Sequence, residues 1–367
     1  MGFRDYYRQY DDLDERELNR ERRARREHEK RLALDRLPDL DLSGTEWPDL
    51  PHSEVINAAI ARARGLVNRY PDRYAAPVRR LLAERHGVAA EQIVFGNGAA
   101  ELLQTAALAL LGRGDEVVMA WPSYPLYPLL AAHAGARPVF AEHGRLSDAV
   151  TGRTRLLVVC NPNDPTGDHM RSHELGAVLA GLPAHVHVLL DEALVHFQDE
   201  EDIDACLRLV DAFPRLLVVR TFSKVYGLSG LRAGYAVGSD TDLLAAVAPV
   251  LGVNALTQAA VEHALRTGDD EIDRRRRVVS RERVRVTEAL TELGADVTRS
   301  QANFVWVRAP GLTGDALAQA LRHQGVIVAP GGPLGAEDHV RAGVLNEGAT
   351  NRLVRAYSNA VGASARA

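Results

Sequence analysis

Leu216-Leu217-Val218-Val219-Arg220 runs straight into Thr221-Phe222-Ser223-Lys224-Val225-Tyr226-Gly227-Leu228-Ser229-Gly230-Leu231-Arg232-Ala233-Gly234. The first residues are apolar without alternation, the pattern of a strand covered on both faces. The stretch from Thr221 onward is polar and glycine-rich, the composition of a loop. Lysine and arginine total 44, yet only two of these are lysines, Lys30 and Lys224. Lys30 sits in a balanced charge run. Lys224 sits just past a core strand, in a chain that uses arginine almost everywhere else. That placement points to a need for the amine itself. A guanidinium does not deprotonate, whereas a desolvated lysine forms a Schiff base.

Working outward, similar runs recur at Glu116–Ala120, Arg155–Cys160 and His185–Leu190, with a short strand at Gln92–Phe95. Helical patterns at Val55–Val67, Pro77–His86 and Ala99–Leu111 lie among them. Buried strands separated by helices predict an α/β fold on a mostly parallel sheet. Ligands in such sheets collect beyond the carboxyl ends of the strands. From Glu271 a charged helix is expected to reach Leu293. A smaller α+β unit comes next, with strands at Asn303–Arg308, Val326–Ala329 and His339–Val344 and helices at Thr313–Gln324 and Ala349–Ala360. The expected organisation is a charged N-terminal helix or arm over residues 1–45, a large domain over 46–275 and a small domain over 276–367. Arg274–Arg277 come after Asp269, Asp270, Glu271 and Asp273, so they read as one solvated helix.

Composition excludes several classes. The chain has 367 residues, 46% of them hydrophobic and 25% charged, with a formal net charge of −5. No apolar stretch reaches the 18 or more residues of a membrane span. The N-terminus turns highly charged within a few residues, unlike a secretory signal. Two cysteines, Cys160 and Cys206, make neither a disulfide framework nor a zinc cage, and no metal site is expected. A reducing cytoplasm is the expected compartment. Residues 11–36 carry nine acidic and nine basic side chains. That balance argues against a nucleic-acid arm and for a salt-bridged, exposed helix.

The residues after the other strands extend the argument. Val188-Leu189-Leu190-Asp191-Glu192 puts a carboxylate at a strand end, the kind of group that a cofactor with a pyridine ring needs to keep its nitrogen protonated and the ring electron-poor. Phe95-Gly96-Asn97-Gly98-Ala99-Ala100-Glu101 joins a strand to a helix whose first N–H groups are free for a phosphate. The third glycine of a dinucleotide fingerprint is missing, which argues against nicotinamide. Ser223 and Arg232 add a hydroxyl and a guanidinium for the same phosphate. Tyr124, in Trp121-Pro122-Ser123-Tyr124-Pro125, supplies a ring to stack on a flat cofactor.

With these motifs the chain resembles a fold-type I pyridoxal-phosphate enzyme of the class I/II aminotransferase family, in its histidinol-phosphate aminotransferase-like branch. Further motifs carry the resemblance: Asn68-Arg69-Tyr70-Pro71-Asp72, Asn161-Pro162-Asn163-Asp164-Pro165-Thr166-Gly167, Ser300-Gln301-Ala302-Asn303-Phe304 and His339-Val340-Arg341. It spans about Leu40 to Val361. The resemblance implies pyridoxal 5′-phosphate as cofactor, carried on Lys224, which also shuttles the proton at Cα. Asp191 is implied at the pyridine nitrogen and Tyr124 against the ring. Gly98, Ala99, Ala100, Ser223 and Arg232 are implied at the phosphate. Tyr70 is implied to reach the phosphate of a neighbouring subunit, hence a homodimer with shared sites. Arg341 and Asn303 are implied at the substrate, with Arg341 gripping its α-carboxylate.

Five positions depart from that family. Asp164 replaces an asparagine, and Leu194 a tyrosine, that would both donate to the ring hydroxyl O3′. Two anions there at about 3 Å would repel by roughly 5 kcal/mol at an effective dielectric of about 20. Asp164 is therefore expected to be protonated, or O3′ to keep its proton, or Asp164 to turn away. Ala329 stands where close relatives carry a cation. Thr45-Glu46-Trp47-Pro48 replaces Asn-Glu-Asn-Pro, which puts Trp47 at the expected entrance. The leading reaction is amino transfer from an α-amino acid to a 2-oxo acid. Decarboxylation, elimination or replacement, or a bond-forming cyclisation is the alternative. A non-enzymatic cofactor-binding regulator is a third reading, without a DNA-binding segment to support it.

Overall fold

The computed structural model describes residues 38–364, together with Arg20, Arg23, Ala24 and Arg26, which are helical and exposed. The rest of the charge run at 11–36 lies outside the described residues.

Seven strands form the main sheet: β2 (Ile93–Gly96), β3 (Glu116–Ala120), β4 (Arg137–Ala141), β5 (Thr154–Cys160), β6 (His187–Asp191), β7 (Leu216–Thr221) and β8 (Gly234–Val237). Their order is β2-β8-β7-β6-β5-β3-β4. All run parallel except β8, which is antiparallel to both its neighbours. Every residue of β7 is buried, and so is nearly all of β5 and β6. Their leucines and valines face helices on both sides, and each such side chain contributes about 1.5–3 kcal/mol on burial. The α/β, mostly parallel expectation holds.

Register fixes where the site lies. Cys160 pairs with Asp191 across β5 and β6, and Thr221 pairs with Gly234, which pairs with Gly96. The carboxyl ends of β2, β5, β6 and β7 therefore finish along one edge. From β2 the chain turns through Gly98 into α3 (Ala99–Leu110), after α1 (Ser53–Ala63) and α2 (Ala76–His86).

A second core is built from the C-terminal third. It holds β9 (Asp296–Val297), β10 (Phe304–Arg308), β12 (Ala329–Pro330) and β13 (His339–Gly343) in the order β12-β13-β10-β9. The helices around it are Asp269–Glu292, Gly314–Arg322 and Glu347–Ser364. The strand expected at Val326–Ala329 is split between two sheets. Its first half, β11 (Val326–Ile327), pairs in parallel with β1 (Leu40–Asp41), and Ala329–Pro330 pairs with β13. Leu42 and Trp47 belong to this C-terminal core although they come from the start of the chain.

The arginine run in helix Asp269–Glu292 is not uniformly solvated. Glu271 pairs with Arg274 and Arg275 within the first turns. Arg275 is nevertheless buried, donating from Nη1 to the Val225 carbonyl at 2.8 Å and lying 4.8 Å over the Trp47 ring. Its position on the helix turns it inward while its neighbours face water.

Candidate active site

One cavity opens where the strand ends meet. Ala99, Ala100, Tyr124, Asp164, Asp191, Ser223, Lys224 and Arg232 line it. All eight are residues that the sequence singles out. Glu46, Thr221 and Tyr127 join them unpredicted.

The anion cradle comes from two elements. Helix α3 starts at Gly98 with no side-chain cap, so its first amides lack an internal partner. Gly98 has φ +92°, and a Cβ there would sit 2.6 Å from Arg232 Nη2. Opposite it, Arg232 Nη1 donates to Ser223 Oγ at 3.3 Å, and the Thr221 hydroxyl donates to the same oxygen at 2.9 Å. Free amides, two hydroxyls and a guanidinium on one side of a cavity suit a phosphate.

Asp191 ends β6 and is buried. Burial pushes its carboxyl pKa up, while the Tyr127 hydroxyl at 2.8 Å and the Ala193 amide at 3.0 Å favour the charged form. Lys224 follows β7, and its Nζ donates to Thr45 Oγ1. Burial pushes its amine pKa down, partly offset by Asp164 and Glu46 nearby. Tyr124 lies edge-on to Tyr127, with ring centroids 5.8 Å apart. A desolvated amine, a buried carboxylate, an aromatic face and an anion cradle around one cavity match the chemistry of pyridoxal phosphate.

Five predicted residues stand elsewhere. Gly98 caps α3 behind the lining. Tyr70 is 85% exposed and away from the cavity. Trp47 does not line the entrance. It is buried, with Nε1 donating to Asp49 Oδ2 at 3.2 Å, and Glu46 faces the cavity instead. The segment is not helical, and adjacent side chains there face different ways. Asn303 is buried behind the wall, where Nδ2 donates to the Thr45 carbonyl at 2.9 Å. It positions the residue that holds Lys224.

Arg341 is also set back from the lining, and its guanidinium is already engaged. Nη1 donates to Asp164 Oδ1 and Nη2 to the Ser43 carbonyl at 2.8 Å. Of the three outcomes open to Asp164, the structure has its carboxylate turned to this guanidinium. An opposite charge meets it there, while the residue still lines the cavity.

Thr221 and Tyr127 were missed although each had a signal. Thr221 is the first residue after the apolar run. Tyr127 lies three residues beyond Tyr124, across the turn that opens helix Leu126–Ala134.

Known proteins place the chain in a family. A sequence profile described as aminotransferase class I and II matches residues 38–356. An aromatic amino acid aminotransferase of Mycobacteroides abscessus is 40% identical over 302 residues, 80% of this chain and 86% of that protein. Histidinol-phosphate aminotransferase 1 of Nitrosococcus oceani is 38% identical over 323 residues, 86% of each chain. The crystal structure of histidinol-phosphate aminotransferase from Sinorhizobium meliloti in complex with pyridoxal-5′-phosphate has a TM-score of 0.79, covering 90% of this chain and 93% of that one. Its identity is 22%, so that likeness is one of fold. A family match over residues 38–356, on a fold-type I α/β scaffold, makes this chain a member of the class I and II aminotransferase family.

Proposed function

We propose that the chain transfers an amino group between an α-amino acid with a large apolar side chain and a 2-oxo acid, using pyridoxal phosphate bound in this cavity. One observation carries the reading: Lys224 Nζ, the Asp191 carboxylate and the Thr221–Ser223–Arg232 cradle converge on a single cavity. When bound, pyridoxal phosphate supplies an electron sink that acidifies the Cα–H of the amino acid.

The chain's own residues supply the rest. The amides of Ala99 and Ala100, the Thr221 and Ser223 hydroxyls and Arg232 would hold the phosphate. Asp191 would hold a negative charge at the pyridine nitrogen, and Tyr124 would cover the ring. Lys224 Nζ would anchor the cofactor and, once displaced by substrate, would take the proton from Cα and deliver it to C4′. Burial favours its neutral form, which that role requires. Arg341 anchors the α-carboxylate, and Asn303 and Thr45 position Lys224. Tyr70 is read as reaching the phosphate site of a second copy, so the working unit is a homodimer, placed in the cytoplasm.

Two features favour an apolar side chain. No cation stands at Ala329 to meet a phosphate, and Leu126 and Leu194 line the cavity beside Tyr124. Relatives named as aromatic amino acid aminotransferases are consistent with this. The test is a half-reaction: the cofactor-loaded protein is mixed with L-phenylalanine and the keto acid is assayed. Stoichiometric phenylpyruvate is expected. Carbon dioxide or ammonia in its place overturns the reading.

A further inference from the structure

The Asp164–Arg341 pair has a meaning of its own. Asp164 lines the cavity and Arg341 does not. Both side chains are nine-tenths buried, or nearly so: relative exposure is 9% for Asp164 and 10% for Arg341. The guanidinium also lies over the Phe304 ring, 5.5 Å from its centroid, which fixes its plane. Its Nη2 is held by the Ser43 carbonyl, and its Nε is buried with no partner among the described residues. The fork is thus oriented for an anion, yet the anion on its cavity side belongs to the protein.

The geometry points to Asp164 as a specificity-determining residue, an internal carboxylate that occupies Arg341 and that a substrate carboxylate must displace. The inference rests on the proposed role of Arg341 as the carboxylate anchor. A charged hydrogen bond between buried partners is strong, and it must be broken or shared before an incoming carboxylate reaches the guanidinium. Two carboxylates around one guanidinium also repel. Glu46 and Asp191 line the same cavity and add to that repulsion, while Lys224 and Arg232 oppose it. The chain is therefore a weaker binder of carboxylates than its guanidinium alone would allow. An asparagine at 164 keeps the shape of the side chain and removes the competing charge.

The experiment uses the cofactor-loaded full chain and a carboxylate that cannot react, 3-phenylpropanoate, with 3-phenylpropanamide as the uncharged control. Binding is measured by calorimetry. Asp164→Asn is expected to tighten 3-phenylpropanoate roughly ten- to hundredfold and to leave the amide unchanged. Asp164→Ala is expected to shift the carboxylate in the same direction, which covers the case of an asparagine variant that folds poorly. Adding Arg341→Gln to Asp164→Asn is expected to abolish the gain. Unchanged or weaker carboxylate binding in both Asp164 variants overturns the inference, as does a gain that survives Arg341→Gln. Absence of keto acid in the half-reaction would defeat the proposed reaction without touching this binding ratio, so the two ideas fail separately.

Discussion

The hydroxyl of Tyr127 donates to Asp191 Oδ2 at 2.8 Å, inside a wall where both residues are buried. Burial raises the carboxyl pKa, and this donor together with the Ala193 amide is what keeps the charged form accessible. Tyr127→Phe removes one of two donors. A hydrogen bond to a charged group contributes about 1.5–3 kcal/mol. The turnover number for amino transfer is expected to fall roughly ten- to hundredfold, with weaker cofactor binding. Wild-type rates in the variant would show that Asp191 does not depend on this donor.

The chain has two lysines, and Lys224 is the one that lines the cavity. Borohydride reduction of the loaded protein, followed by peptide mass spectrometry, is expected to leave the cofactor mass on the peptide holding Lys224. Lys224→Ala is expected to abolish that adduct and amino transfer together. An adduct on Lys30 in the variant would refute the assignment.

Gly234 joins β8 to the cradle. A Cβ there would lie 2.6 Å from the Ala99 amide nitrogen, 2.8 Å from the Gly98 carbonyl carbon and 2.9 Å from the Arg220 oxygen. All three are backbone atoms with little room to move. Gly234→Ala is expected to cost about 1–3 kcal/mol of stability by overpacking. It also pushes the start of α3 out of place, so affinity for pyridoxal phosphate drops with the melting temperature. Equal affinity would mean the cradle tolerates the shift.

Beneath the site lies a buried ionic network. Arg220 donates to Glu192 Oε2 at 2.8 Å, to Asp204 Oδ1 at 2.6 Å and to the Ile203 carbonyl at 2.6 Å. His86 bridges Asp204 and Tyr235, and His196 is buried beside it. Burial, first among the causes, pushes the pKa of both histidines below 6.5. The unfolded chain therefore binds protons that the folded one refuses. Stability from this source is complete above pH 6.5 and is lost as pH falls through the folded values. Each histidine contributes a slope of up to about 1.4 kcal/mol per pH unit in that window. Urea unfolding at pH 7.5, 6.5 and 5.5 is expected to show the loss, with a shallower slope in His196→Gln. A flat profile between pH 7.5 and 5.5 would contradict it.

Much of this was legible in the chain itself, for physical reasons. Glu116–Ala120 appears with the bounds read from sequence, because the apolar run Val117–Ala120 is bounded by Asp115-Glu116 before it and the proline of Trp121-Pro122 after it. Lys224, Asp191 and the Ala99 turn were found because parallel sheets collect function at strand ends. The pattern was weakest around prolines. Helix Leu126–Ala134 carries Pro128 in its first turn, and β4 carries Pro138. Neither was expected, and β4 tolerates its proline because it is an edge strand. The division of residues 326–330 between two sheets leaves no trace in periodicity. Nor does the pairing of Asp164 with Arg341, which are 177 residues apart. Choosing Trp47 over Glu46 failed for a related reason, since an irregular segment has no repeat to say which side chain faces inward.

The early strand Leu40–Asp41 is stitched to the late strand Val326–Ile327, and Leu42 accepts the Gly343 amide at 2.8 Å. The segment that carries Thr45 is thus held by the C-terminal core, while Lys224 follows a strand of the main sheet. Thr45 and Lys224 stand 179 residues apart, so their contact ties the two cores together at the reactive nitrogen itself.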